Sequence, residues 1–159
     1  MHKIYIFLNK AIENLLVIIF GALVLDVVWQ VASRYLIGQS SSFTEEFARF
    51  ALIWLAILGA AYINGQPSGH LSMDFLVDKL PPAQQRTRRQ RIQYFMILFA
   101  VVVMVIGGGN LVYTTLKLGQ TSPALHVPLG YVYAIVPVSG LLIVYFCIYR
   151  IKVLNAVIE

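Results

Sequence analysis

Asp26, Gln30 and Arg34 recur every fourth residue in an otherwise apolar stretch, so a helix there carries all three on one face. A carboxylate set among apolar residues allows two chemistries. It can act as a proton or ion carrier, or it can be paired within or between subunits, Asp26 reaching Arg34 through Gln30. A lipid-facing Asp would be costly, so this face should meet protein or water under either reading. A second polar group, Thr44, Glu45, Glu46 and Arg49, stands at the mouth of the next apolar run. Two carboxylates in a first helical turn suit the helix dipole. Glu45 and Arg49 are four residues apart, which fits an intrahelical ion pair; a salt bridge to another subunit is the sharper alternative.

Several other chemistries are excluded by residue type and placement. His2, His70 and His126 all fall outside the apolar runs, so no facing-helix pair exists to ligate a haem or a metal. His70 and His126 read as interfacial hydrogen-bonding groups. Cys147 is the one cysteine and forms neither an internal disulfide nor a dithiol redox pair. Gly107, Gly108 and Gly109 suggest a phosphate loop, but no Gly-Lys-Ser/Thr follows and the surroundings are apolar. Tight packing or local unwinding of a helix is the better reading there. No nucleophile sits near a base, and no carboxylate cluster supports hydrolysis. The expectation is a protein with no cofactor, no metal and no enzymatic activity.

The elements that position these residues are membrane helices. Of 159 residues, 59% are hydrophobic and only 12% charged, with mean hydropathy +0.77. A soluble domain carries about 25% charged residues. Four segments reach the roughly 20 residues that span hydrocarbon: 11–33, 44–64, 92–116 and 129–148. The first is too long for a signal-peptide core and lacks a small-x-small cleavage site, so it is expected to be retained. Lys3, Lys10, Lys79, Arg86, Arg88, Arg89, Arg91, Arg150 and Lys152 fall at the termini and in the second loop, whereas Arg34, Arg49 and Lys117 fall in the first and third loops. That asymmetry predicts cytoplasmic termini. The RTRRQR run directly precedes a span, so it reads as a topology anchor against anionic headgroups and not as a nucleic-acid site.

Between the second and third spans, residues 69–80 place Leu71, Phe75, Leu76 and Leu80 on one helical face and Asp74 and Asp78 on the other. Pro81 and Pro82 end the pattern. This predicts a short amphipathic helix on the cytoplasmic interface, a polar loop being the alternative. Membrane-interface candidates are therefore His70, Asp74, Arg86, Arg88, Arg89 and Arg91. In the second span Ala56, Gly59 and Ala60 make a small-residue stripe that allows close helix approach, and Trp54 faces either core or lipid. Pro123 and Pro128 limit helix in the third loop, while Pro137 is expected to kink the fourth span or make room for a neighbour. The predicted fold is a single all-α domain over 1–159: four transmembrane helices, an interfacial amphipathic helix, and both termini inside.

The stretches RYLIGQSSSFTEEFARFALIWLAILGAA, GHLSMDFLVD from Gly69 to Asp78, and SPALHVP with the later Pro137 and Gly140 carry a family likeness. The chain resembles the small membrane subunit of TRAP (tripartite ATP-independent periplasmic) transporters over nearly its whole length. It departs from the family habit at Phe43, where tryptophan is common, and at Gly130, where an aromatic is common. The resemblance implies an accessory scaffold in a sodium-coupled uptake system for organic anions such as sialic acids or dicarboxylates. The implied partners are a large transport subunit, a periplasmic substrate-binding protein and the lipids of the bacterial inner membrane. On that reading Asp26, Gln30, Arg34, Glu45, Glu46, Arg49, Trp54 and Gly59 are the candidate subunit-interface residues. A self-contained homodimeric four-helix transporter with Asp26 as its coupling carboxylate is the competing expectation.

Overall fold

The computed structural model describes the backbone of residues 2–36, 38, 41–66 and 82–156, and their side chains except at 2, 82, 83, 86 and 154–156. The expected interfacial helix, with His70 and Asp74, lies outside the described residues, as does the side chain of Arg86. The described part is all-α. Its helices are α1 (His2–Leu36), α2 (Ser42–Gly65), α3 (Pro82–Phe99), a π-helical segment (Ala100–Gly107), α4 (Gly108–Lys117), α5 (Leu129–Tyr133) and α6 (Ile135–Ala156). They make four elements long and apolar enough to cross a membrane: Lys3–Leu36, Ser42–Gly65, Thr87–Lys117 and Leu129–Val153.

Each span begins or ends beyond its apolar run. Hydropathy delimits hydrocarbon, but backbone hydrogen bonding continues past it. Thus α1 starts at His2, well before residue 11, and its 35 residues extend about 52 Å against roughly 30 Å of hydrocarbon. Likewise the RTRRQR run is helical and not loop, because Pro82 suits a first helical position and Ala, Gln and Arg are good helix formers.

The spans form a chain of neighbours. The long α1 packs on α2, α2 packs on α6, and α6 packs on α3 and the π segment. Ala61, Ala100, Ile143 and Cys147 form the buried centre where these meet. Small residues draw the third and fourth spans together. A methyl at Gly140 would lie 2.7 Å from Met104 Cβ and 3.1 Å from Val105 Cγ2; one at Gly108 would lie 2.8 Å from Val136 Cγ1. Of the expected glycine triplet, then, Gly108 makes the close approach, while Gly109 has open space around it. The helix beside them is widened into a π turn and is not unwound.

Pro137 explains the break in the fourth span. In a continuous helix its ring would meet the carbonyl of residue i−4, which is Tyr133. The chain instead ends α5 at Tyr133, turns at Ala134 and restarts at Ile135, leaving Pro137 in a first turn where no N–H is required. Gly130 lies against Leu116, with a built Cβ only 2.4 Å from Leu116 Cγ, so the missing aromatic side chain has no room there.

Candidate functional site

Two clusters of polar contacts between spans lie at the two ends of α2. At the end where α2 begins, the chain between α4 and α5 folds into a compact turn. Gly119, at φ 62°, closes α4 in the left-handed conformation that a glycine adopts without steric penalty. Its N–H bonds Leu116 O while that of Gln120 bonds Thr115 O, satisfying carbonyls at the helix end. Next, Ser122 N–H donates to Val127 O at 2.9 Å and Leu129 N–H to Gln120 O at 2.9 Å, with His126 held at φ 53°.

Two N–H groups of this turn point at α2. Ala124 and Leu125 donate to Glu46 Oε2 at 2.8 and 2.9 Å, and the buried Ser122 hydroxyl donates to the same carboxylate. One side chain thereby fastens the start of α2 to the connection between the third and fourth spans. Thr44 is buried beside it and donates from Oγ1 to Ser41 O at 2.8 Å. Glu45 and Arg49 form the spaced ion pair at 3.7 Å, but their side chains are 63% and 68% exposed. Such a pair contributes little by itself, and both groups stay accessible to another molecule.

Trp54 joins the interior. Its Nε1–H donates to Val132 O at 3.1 Å, a carbonyl in the last turn of α5 where intrahelical donors run out. On the opposite side of α2, Leu52, Ala56, Ala60 and Ile63 are exposed, and a methyl at Gly59 would meet nothing within 4 Å. The small-residue stripe is therefore unused among the described residues.

The Asp26 face of α1 is divided. Asp26 and Gln30 are half-buried and Arg34 is exposed. Asp26 Oδ2 is shielded from solvent and has no hydrogen-bond partner among the described residues, and no ion pair with Arg34 forms there. Gln30 contributes its backbone carbonyl to Ser33 Oγ at 3.0 Å.

At the other end of α2, three spans are knotted by groups that sequence reasoning missed. Tyr5 stacks on Tyr149 with centroids 4.4 Å apart and donates its hydroxyl to Gly65 O at 2.7 Å. Buried Asn64 donates from Nδ2 to Cys147 Sγ at 3.3 Å, and Arg150 donates to Gln66 O. The available signal was an Asn-Gly step closing an apolar run opposite tyrosines on two other spans. Arg88 and Arg91 are exposed nearby along α3. No group of three or more metal-ligating side chains occurs among the described residues.

Comparison with known proteins agrees with this architecture. Residues 23–155 match the family described as tripartite ATP-independent periplasmic transporters, DctQ component. The chain is 30% identical over 143 residues to a Haemophilus influenzae protein named for a TRAP transporter small permease, covering 90% of this chain and 86% of that one. It is 25% identical to the sialic acid TRAP transporter small permease protein SiaQ of Vibrio cholerae, covering 87% and 78%. It is also 29% identical to part of the isethionate TRAP transporter permease protein DctMQ of Oleidesulfovibrio alaskensis, covering 74% of this chain but 19% of that protein.

Proposed function

The chain belongs to the DctQ-component family of tripartite ATP-independent periplasmic transporters, and from that membership we propose that it is a scaffold packed beside a large transport subunit in a sodium-coupled organic-anion uptake system. The observation that carries this reading is the unused outer face of α2. Leu52, Ala56, Gly59, Ala60 and Ile63 present small and apolar groups to the outside while the opposite side of the same helix holds Trp54 and the buried Ala51, Leu58 and Ala61. Small residues let a second helix approach closely, which is how spans associate when lipid removes the ordinary hydrophobic drive. The long DctMQ relative supports a large membrane partner, since the segment similar to this chain occupies 19% of it.

Within that assembly the candidate interface residues divide by what they already bond. Glu46 and Trp54 are committed inside the chain, so their part is to hold the surface in shape. Glu45, Arg49 and Arg34 are exposed, and Asp26 with Gln30 is half-covered, so these face the partner. The excess of Lys and Arg at the termini supports cytoplasmic termini and an inner-membrane location. The loop between α4 and α5 then lies on the periplasmic side, where a substrate-binding protein delivers its anion.

Replacing Ala56 and Gly59 together by leucine, co-expressing the chain with its large subunit, and measuring co-purification tests the proposal. The expected result is loss of the complex with the small chain still folded; an intact complex and unchanged uptake would sink it. The unpartnered Oδ2 of Asp26 favours one second reading, a homodimer with Asp26 as coupling carboxylate. Proton- or sodium-driven flux through the chain reconstituted alone distinguishes that alternative.

A further inference from the structure

We propose that the first three turns of α1 form a binding site for an anionic glycerophospholipid. Lys3, Ile6, Phe7, Lys10, Ala11 and Asn14 line one groove of about 560 Å³. Their spacing of three and four residues puts them on a single face of the helix. All six are exposed, Phe7 to 71%, and neither lysine has an ion pair among the described residues.

The rotation of this face is fixed from behind. Tyr5 is held by its stack on Tyr149 and its bond to Gly65 O, and Ile12 is buried. The lysine face therefore cannot turn inward without breaking those contacts. Its depth follows from the charges. Lys3, Lys10 and Glu13 precede a run without charge from Asn14 to Leu25, and α1 is about 22 Å longer than the hydrocarbon it crosses. Lys3 and Lys10 thus sit at headgroup level, about 10 Å apart along the axis.

The order of side chains along the face matches the order of groups in a phospholipid. A phosphate fits between the two ammonium groups, with Phe7 and Ile6 beside it. The Asn14 amide, about 6 Å below Lys10, is placed to donate to an ester carbonyl. Exposed Val17 and Ile18 continue the line into the hydrocarbon and would carry an acyl chain. The lining holds two cations and no carboxylate, so a net-negative headgroup is matched where a zwitterionic one is not. This inference needs only that α1 crosses the membrane and is independent of the partner subunit.

The test uses the full chain in nonionic detergent, with thermal unfolding followed on adding phosphatidylglycerol, phosphatidylcholine of the same chain length, or inorganic phosphate. At about one hundred times its dissociation constant, phosphatidylglycerol should raise the midpoint by on the order of 5–10 °C. Phosphatidylcholine should do less and inorganic phosphate nothing. The double variant Lys3→Gln, Lys10→Gln should bind phosphatidylglycerol on the order of 30-fold more weakly, from the attraction typical of each surface lysine. Its midpoint without lipid should be unchanged, and Lys3→Arg with Lys10→Arg should retain the shift. Equal shifts from the two lipids would overturn the proposal, as would a shift reproduced by inorganic phosphate. So would a phosphatidylglycerol shift that survives the glutamine pair and disappears in Arg88→Gln, Arg91→Gln.

Discussion

Replacing Gly140 by alanine adds one methyl where α6 crosses the π segment. That methyl would stand 2.7 Å from Met104 Cβ, 3.1 Å from Val105 Cγ2 and 3.3 Å from the carbonyl oxygen of Ala100. Comfortable carbon–carbon separation is about 3.5–4.0 Å, so the two spans must part by roughly 1 Å or the π turn must shift. Neither is easy, because Met104 is met at its Cβ, next to the backbone, and the third contact is backbone itself. Overpacking of this kind costs about 1–3 kcal/mol. The matched control is Gly109→Ala, two residues past the π segment, where a methyl meets nothing within 4 Å. There the gain in helix propensity should stabilise by about 0.5–1 kcal/mol. The two variants should therefore differ by about 1.5–4 kcal/mol in opposite directions, or several degrees in a chain of this length. Thermal unfolding of the purified chain in one detergent, followed by tryptophan fluorescence, measures the difference. A Gly140→Ala protein that melts at or above the unmodified chain would refute the close-packing reasoning, as would an equal loss in Gly109→Ala.

Two further outcomes follow from the bonds of α2 and α1. In Glu46→Gln the amide keeps one acceptor but loses the charge, so the Ala124 and Leu125 N–H groups should exchange with deuterium faster, while exchange along α6 stays unchanged. Exchange measured across residues 122–127 checks this, and equal protection would show that the turn holds itself. In Asp26→Asn the shielded Oδ2, which has no partner in the described chain, is replaced by a neutral amide. The isolated chain should melt at a higher temperature, since a desolvated charge is removed. Its co-purification with the large subunit should fall. A variant unchanged in both measurements would assign Asp26 to neither stability nor assembly.

The four spans were legible because hydrocarbon is a demanding solvent and long apolar runs answer it directly. Their ends were not, since a helix keeps hydrogen-bonding its own backbone into the headgroups; α1 and α3 both start earlier than their apolar residues do. The Glu45–Arg49 pair was legible from a spacing of four. Glu46 was visible as a charge near a membrane boundary, but its partners are backbone N–H groups 78 and 79 residues away, which no local pattern encodes. Trp54 likewise left core and lipid equally open until the break at Ala134 supplied a carbonyl in need of a donor. Pro137 did signal that break, although the position of the turn depends on which carbonyl the ring would strike. Gly108 and Gly140 could be suspected of close packing, yet only the register between two spans tells them apart from Gly109, which has none.

The distribution of these contacts bears on what the chain can do mechanically. Near its start α2 is fastened by Glu46 to the turn before α5, midway by Trp54 to α5 itself, and at its end by Asn64 to α6. Alongside, α6 is locked to the third span through Gly140 and Gly108, where a single methyl has no room. A helix that slides past its neighbours during transport needs contacts that can be exchanged along its length. Here each contact is specific to one position, so sliding by a turn would break the Glu46, Trp54 and Asn64 bonds at once and leave the buried Asn64 amide without its partner. Motion of α2 against the fourth span is therefore expensive, while the outer face of α2 carries no such ties among the described residues. A rigid inner side with a smooth, small-residue outer side is what the scaffold role proposed above requires.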